Sequence, residues 1–469
     1  MSALHLPTRL TGAQVDALFA RQRERDPWGV RIHFVLALGA AFLAAFPTTW
    51  VEFGSLPVLA CFFIRMTGQH PILEPLGFDR IARLTVLWCV WVAASLLWTA
   101  ALPATTGDRS WLTEIGMLRW AGFVAVLYPV IDRRGWLMAA LAAGLACAQV
   151  VQAGHVIGHV LHIPALDYGR AAGRFSGWWD PVVGGSVLVC ALGLHLGAAL
   201  AARTALVRAV AMILSSAALA GVFATGTRGA WIGAVLVIAA ALALFAWRTR
   251  PRRRLLVPCA ALAIICAAGL AIVWATVGHS LRQRLDAGIA EVRGALSTGD
   301  YSTDTGMRLA MWRWALIEAR THPLLGVGVG GFRPWAAQHP NGQTTADAPR
   351  AERAPLPQPH AHAHSWPLHV LATTGIVGAA IMLALIMASM YSGLRAEPSP
   401  AAAQHPGIWR GLASAYSLAP PLGIAGLAFA GAFDSITVNQ QTACLLFFLI
   451  AMCVPSVPGR AAPDGEARS

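Results

Sequence analysis

Runs of about twenty apolar residues recur along this chain. A helix needs a run of that length to cross a hydrocarbon core about 30 Å thick. Inside lipid every backbone N–H and C=O must be satisfied within the segment, so such a chain folds as helices. The runs predict about twelve spans, near residues 32–48, 50–66, 81–102, 112–131, 136–161, 181–201, 205–224, 229–247, 255–278, 366–394, 410–432 and 437–455. Only 12% of the residues are charged and 57% are hydrophobic, whereas a soluble domain carries about 25% charged residues. The expected fold is therefore all-α and polytopic.

The net charge is +13, and every basic side chain among the 35 is arginine. The arginines are scattered over short loops, which marks topology and excludes a nucleic-acid footprint. With the N-terminus in the cytoplasm, the loops at Arg133-Arg134, at Arg203 with Arg208, and at Arg248 through Arg254 share that side. The expected organisation is a cytoplasmic tail over 1–30, nine spans over 31–278, an outer loop over 279–365, three spans over 366–455, and a cytoplasmic tail over 456–469. Loop 163–180, turn Thr225–Gly229 and the large loop then all lie on the outer face. All eight cysteines fall in apolar runs, so no disulfide framework and no CxxC metal site are expected.

Inside the large loop, Leu281, Leu285, Ile289, Val292 and Leu296 recur at helical spacing, which predicts an amphipathic helix. Asp304 or Thr305 is placed to cap a second helix, which His322-Pro323 ends. Residues 337–360 read as a loop able to act as a lid, and Gly326–Gly331 as a tight turn packed against helix ends.

Arg228 stands at the tip of the turn Thr225-Gly226-Thr227-Arg228-Gly229, where glycine lets backbone approach a ligand and a planar guanidinium suits phosphate. Arg308 and Trp312 lie one turn apart on the loop helix. Arg170 and Arg174 accompany Tyr168, Phe175, Trp178 and Trp179. Arg119, within a span, is a candidate by position, with pairing to Glu114 or snorkelling as alternatives. His360, His362 and His364 alternate, as on one side of a strand. His364 directly precedes Ser365-Trp366-Pro367, a helix start at the membrane surface, and an imidazole there suits proton transfer near neutral pH.

Four stretches together resemble the O-antigen ligase/polymerase superfamily of bacterial membrane glycosyltransferases. They are Thr227-Arg228-Gly229, Arg308 with Trp312, His322-Pro323-Leu324-Leu325-Gly326-Val327-Gly328, and His364-Ser365 with Thr374-Gly375-Ile376-Val377-Gly378. The chain departs from the family at Ser365, where asparagine is common, and at Trp179-Asp180-Pro181. The resemblance implies a GT-C-like fold in the bacterial inner membrane and a periplasmic, metal-independent, inverting transfer without a cofactor. It implies an undecaprenyl-diphosphate-linked glycan as donor and lipid A–core as acceptor, with membrane lipids around the bundle. His364 would be the base, Arg228 and Arg308 the diphosphate ligands, and Arg174 and Arg170 their assistants. Polymerase and protein O-oligosaccharyltransferase are the neighbouring activities. A lipid-linked glycan transporter would instead place ionisable groups at the bilayer midplane.

Overall fold

A computed structural model describes residues 12–99, 110–166, 168, 173–248, 256–338, 360–395 and 408–455, and no strand occurs among them. The helices in order are α1 (Gly12–Arg25), α2 (Pro27–Leu43), α3 (Thr48–Gln69), α4 (Arg80–Thr99), α5 (Ser110–Met117), α6 (Phe123–Val126), α7 (Arg134–Val160), α8 (Pro181–Ala201) and α9 (Ala205–Ala224). They continue as α10 (Arg228–Arg248), α11 (Leu256–Ser297), α12 (Asp304–Thr321), α13 (Phe332–Gln338), α14 (Trp366–Arg395), α15 (Ile408–Tyr416), α16 (Pro420–Gly431) and α17 (Gln440–Cys453).

The protein is a polytopic helical membrane protein. Seven segments among the described residues are long and apolar enough to cross a bilayer: Thr48–Gly68, Arg80–Thr99, Tyr128–Val160, Pro181–Ala201, Ala205–Ala224, Arg228–Trp247 and Trp366–Arg395. Pro27–Leu43, Pro420–Gly431 and Gln440–Cys453 are apolar but shorter. The difference from about twelve has local causes. The stretch expected as one span over 112–131 is divided into α5, a 3₁₀ turn over Leu118–Gly122, α6 and a second 3₁₀ turn, Tyr128–Arg133, that contains Pro129. The stretch over 410–432 is cut between α15 and α16 at Pro420-Pro421, where two proline rings cannot donate to the preceding turn.

Helix α8 is the hub: 89% of its apolar window is buried, and it packs against α9, α10 and α16. Its approach to α16 is backbone to backbone, since a Cβ on Gly193 would stand 2.1 Å from the Leu422 carbonyl oxygen. Small residues at such contacts let dispersion act where lipid removes the hydrophobic drive. Polar groups buried in the bundle pair with one another, as His195 Nδ1 and the Tyr416 hydroxyl do at 2.7 Å. Arg119 pairs with Glu52 on α3 rather than with Glu114, and its guanidinium lies 4.7 Å from the Trp120 ring. Cys190, Cys444 and Cys453 are buried, unbridged core residues.

The N-terminal stretch expected as a tail contains α1, which buries Val15 and Phe19 and ties Arg23 to Asp132 at 3.2 Å. The break expected near residue 278 is absent, because α11 runs unbroken from Leu256 to Ser297. Beyond it Leu285, Ile289, Val292 and Leu296 are exposed along one stripe. Thr303 caps α12, accepting from Gly306 N at 3.1 Å, one residue ahead of the expected position. His322 closes the helix as expected. Met311, Trp314, Val327, Phe332 and Trp335 form a small separate core against Ala363 and Ala372. Each large side chain buried there contributes about 1.5–3 kcal/mol. The expected lid lies mostly over residues outside the described set; its first two belong to α13.

Helix α14 breaks at Gly375, which has φ +65°, a backbone conformation that glycine adopts without steric cost. The break frees the carbonyls of Ala372 and Thr373 and the amides of Ile376 and Val377. The segment 323–328 supplies partners for all four. Val327 N donates to Ala372 O at 2.9 Å and Gly328 N to Thr373 O at 2.8 Å. Ile376 N donates to Pro323 O at 2.9 Å and Val377 N to Leu324 O at 3.5 Å. Orphaned backbone groups at this depth would cost several kcal/mol each, so the glycine-rich segment completes the membrane helix. The expected tight turn against helix ends is this joint.

Candidate active site

The turn between α9 and α10 is the floor of a cluster of arginines. Gly226, at φ +64°, reverses the chain, and Arg228 opens α10. Arg174 Nε donates to Thr225 O at 3.2 Å and its Nη2 to Thr227 Oγ1 at 3.1 Å. Arg284, in the C-terminal half of α11, donates from Nε to Gly226 O at 3.0 Å. Burial, reinforced by the like charge of Arg284, pulls the Arg174 guanidinium down to about 10. It is still cationic at neutral pH.

Arg228 Nη2 donates to Glu291 at 3.2 and 3.5 Å. Its Nη1 is buried without a hydrogen-bond partner among the described residues. Glu291 also accepts from the amide of Thr305 at 3.1 Å and from its hydroxyl, so it ties the turn to the start of α12. One turn further, Arg308 Nη1 donates to Phe433 O at 3.2 Å. Arg308 interacts electrostatically with Asp434, Asp304, Arg228 and Asp180. Asp434 is buried beneath it. Its side chain accepts from Ser186 Oγ at 3.2 Å and Ser435 N at 2.8 Å, and its carbonyl accepts from Trp366 N at 2.8 Å. Burial raises the Asp434 carboxyl, with Arg308 opposing.

Trp366 opens α14, and His364 sits two residues before it with φ +50°. A non-glycine residue held there carries strain of about 1–3 kcal/mol, of the kind that collects at functional sites. Trp312, one turn after Arg308, donates from Nε1 to the His364 carbonyl at 3.4 Å and lies 6.1 Å from the Phe433 ring. Phe433 thus joins the Arg308 contact to the histidine. His364 Nε2 shares a 3.2 Å hydrogen bond with His360 Nδ1, and the His362 ring centroid is 4.3 Å away. The alternating histidines do gather, but on a bent backbone rather than a strand. Burial first, then the Arg308 charge, lowers His364 from 6.5 to about 3. The imidazole is therefore neutral at physiological pH, with a lone pair to offer.

Arg174, Arg228, Arg308 and His364 are thus drawn into one continuous cluster at one end of the bundle. Arg170 lies outside the described residues. Arg133-Arg134 and Arg203 with Arg208 lie at the opposite end, because α7 and α8 run between them and the site. Sequence reasoning missed Arg284, Glu291 and Asp434. Arg284 and Glu291, seven residues apart, form the polar stripe of a helix whose apolar stripe alone was noticed. Asp434 is an ionisable residue just past an apolar run, and that position was the signal that could have found it.

Fixed cations facing a neutral imidazole suit a reaction in which an anionic group leaves while a hydroxyl loses its proton. No curated protein matches the chain. Residues 188–383, from within α8 to within α14, match the family model described as O-Antigen ligase. Over that segment the chain is similar to the O-antigen ligase superfamily of membrane glycosyltransferase-like proteins.

Proposed function

We propose that the protein is an O-antigen ligase that transfers an undecaprenyl-diphosphate-linked polysaccharide to lipid A–core at the periplasmic face of the inner membrane. One observation carries the reading: a neutral His364 and three arginines are linked through Thr305, Phe433 and Trp312 into a single site. The topology is supported by the arginine-bearing loops at the opposite bundle end, which the positive-inside rule assigns to the cytoplasm. Loop 279–365 is then periplasmic.

In this mechanism Arg228 and Arg308 hold the donor diphosphate, with Arg174 and Arg284 beside them. The unpartnered Nη1 of Arg228 offers a donor to the phosphate. As the anomeric carbon–oxygen bond breaks, its electron pair goes to a phosphate oxygen, and the guanidinium charges stabilise it. His364 takes the proton of the acceptor hydroxyl as that oxygen bonds to the anomeric carbon. Direct displacement inverts the anomeric centre and uses no metal.

The acceptor is tested in the native host. Arg228→Ala removes one or two charge-assisted hydrogen bonds of about 1.5–3 kcal/mol each, which predicts a 10- to 100-fold or larger loss of transfer. The lipopolysaccharide should then lack long O-chains while lipid-linked polymer accumulates. Core bearing a single repeat unit would identify a polymerase instead. Normal lipopolysaccharide with unglycosylated surface protein would identify a protein-directed transferase.

The pH profile tests the base. Because burial and Arg308 depress the His364 value, its proton-free form persists as pH falls and is lost only near pH 3. The free-enzyme profile, kcat/KM, should stay flat down to about pH 5. Arg308→Gln should move its acid limb up toward the ordinary histidine value.

A further inference from the structure

We propose that His360 is the positioning partner of His364: it accepts the Nε2–H of His364, leaving the lone pair for the incoming hydroxyl on Nδ1. The inference rests on His364 being the base and assigns the nitrogen it uses. The His360 and His362 rings contact His364, and Arg308 and His369 act on it electrostatically. Only His360 makes a hydrogen bond to the His364 ring among the described residues, at 3.2 Å. His362 meets that ring edge-on, and its own Nδ1 has no hydrogen-bond partner among the described residues.

The two ring nitrogens of His364 are therefore unlike. Nε2 is engaged, whereas Nδ1 is buried and has no partner among the described residues. A neutral imidazole carries one proton, and the tautomer follows the partner that the protein provides. With His360 accepting, the proton sits on Nε2 and Nδ1 becomes the base. The backbone supports this arrangement from two sides. The φ of +50° and the Trp312 contact hold His364, while His360 N donates to Met311 Sδ at 3.4 Å.

In the step itself, the acceptor O–H bond breaks, its proton passes to Nδ1, and the oxygen bonds the anomeric carbon as the diphosphate departs. The Nε2–H···Nδ1 bond to His360 spreads the positive charge that forms beside Arg308. Water entering after product release takes the proton from Nδ1.

Two readouts on the full-length protein in nanodiscs test the assignment. The first is nitrogen NMR of histidine-labelled protein, with His364 assigned by its own substitution. It should show a proton-free Nδ1 and a protonated Nε2. His360→Ala should mix the two tautomers, and His360→Asn, whose side-chain carbonyl can accept the same proton, should restore the single one. The second is transfer from undecaprenyl-diphosphate-linked glycan. His360→Ala should lower kcat about 10- to 100-fold with donor KM unchanged, and His360→Asn should recover most of it. His360 is exposed, so neither variant disturbs the core. A protonated Nδ1 in the unmodified protein, or wild-type tautomer and rate in His360→Ala, overturns the assignment. A rate loss without a tautomer change does so too. An unmodified protein that transfers glycan to no acceptor overturns the proposed function instead, while the tautomer readout still decides the pairing.

Discussion

Transfer by the His364→Asn protein is expected to fall roughly 10²- to 10⁴-fold, the range that a positioned general base contributes. Asparagine suits the experiment because it tolerates the left-handed backbone that His364 adopts. The substitution therefore removes the base without adding strain before α14. The carbonyl that accepts from Trp312 is main chain and is retained. Arg174, Arg228, Arg284 and Arg308 keep their contacts, so binding of the lipid-linked donor should be nearly unchanged. The measurement is kcat and donor KM on purified protein, beside direct donor binding. A large kcat loss with intact binding is the expected pattern. Loss of donor binding would instead make His364 a substrate ligand.

Gly375→Ala is expected to be the most damaging single methyl group in the described chain near the site. The added Cβ would stand 2.2 Å from Leu324 O and 2.6 Å from Leu325 N, on a backbone with φ +65°. Neither contact can be relieved by rotating a side chain, because both are main-chain atoms. The docked segment must leave, and four backbone hydrogen bonds go with it. A cost of about 3–5 kcal/mol follows, above the usual range for a point substitution. Hydrogen exchange should show Val327 and Gly328 losing protection, and transfer should fall with them. Gly39→Ala is the control, since a Cβ there meets nothing within 4 Å. It should be neutral or slightly stabilising, as alanine favours helix.

Much of the fold was legible in the sequence because apolar run length maps directly onto bilayer thickness. Legibility failed where a run was interrupted by backbone chemistry that composition does not display. The prolines at 129, 420 and 421 cut runs whose hydropathy stays high across them. The join at Gly375 involves a partner segment some fifty residues earlier, and nothing local announces it. The continuity of α11 was hidden because Gly278-His279 resembles a helix end. For the site, Arg228, Arg308 and His364 were visible as compact signatures around turns and helix starts. Arg284 and Glu291 were not, since each gains meaning only when α11 is laid over the turn after α9. Arg119 shows the same limit, for its partner Glu52 is 67 positions away.

The uninterrupted α11 also has a consequence for how this region tolerates insertions and deletions. Gly278, Arg284 and Glu291 lie on one continuous spiral, and each residue advances that spiral by about 100°. Removing or adding a single residue between the bilayer and Arg284 would rotate everything beyond it. Arg284 and Glu291 would swing off the turn after α9, and a neighbour from the apolar stripe would take their place. The length of this segment is thus quantised by angular phase.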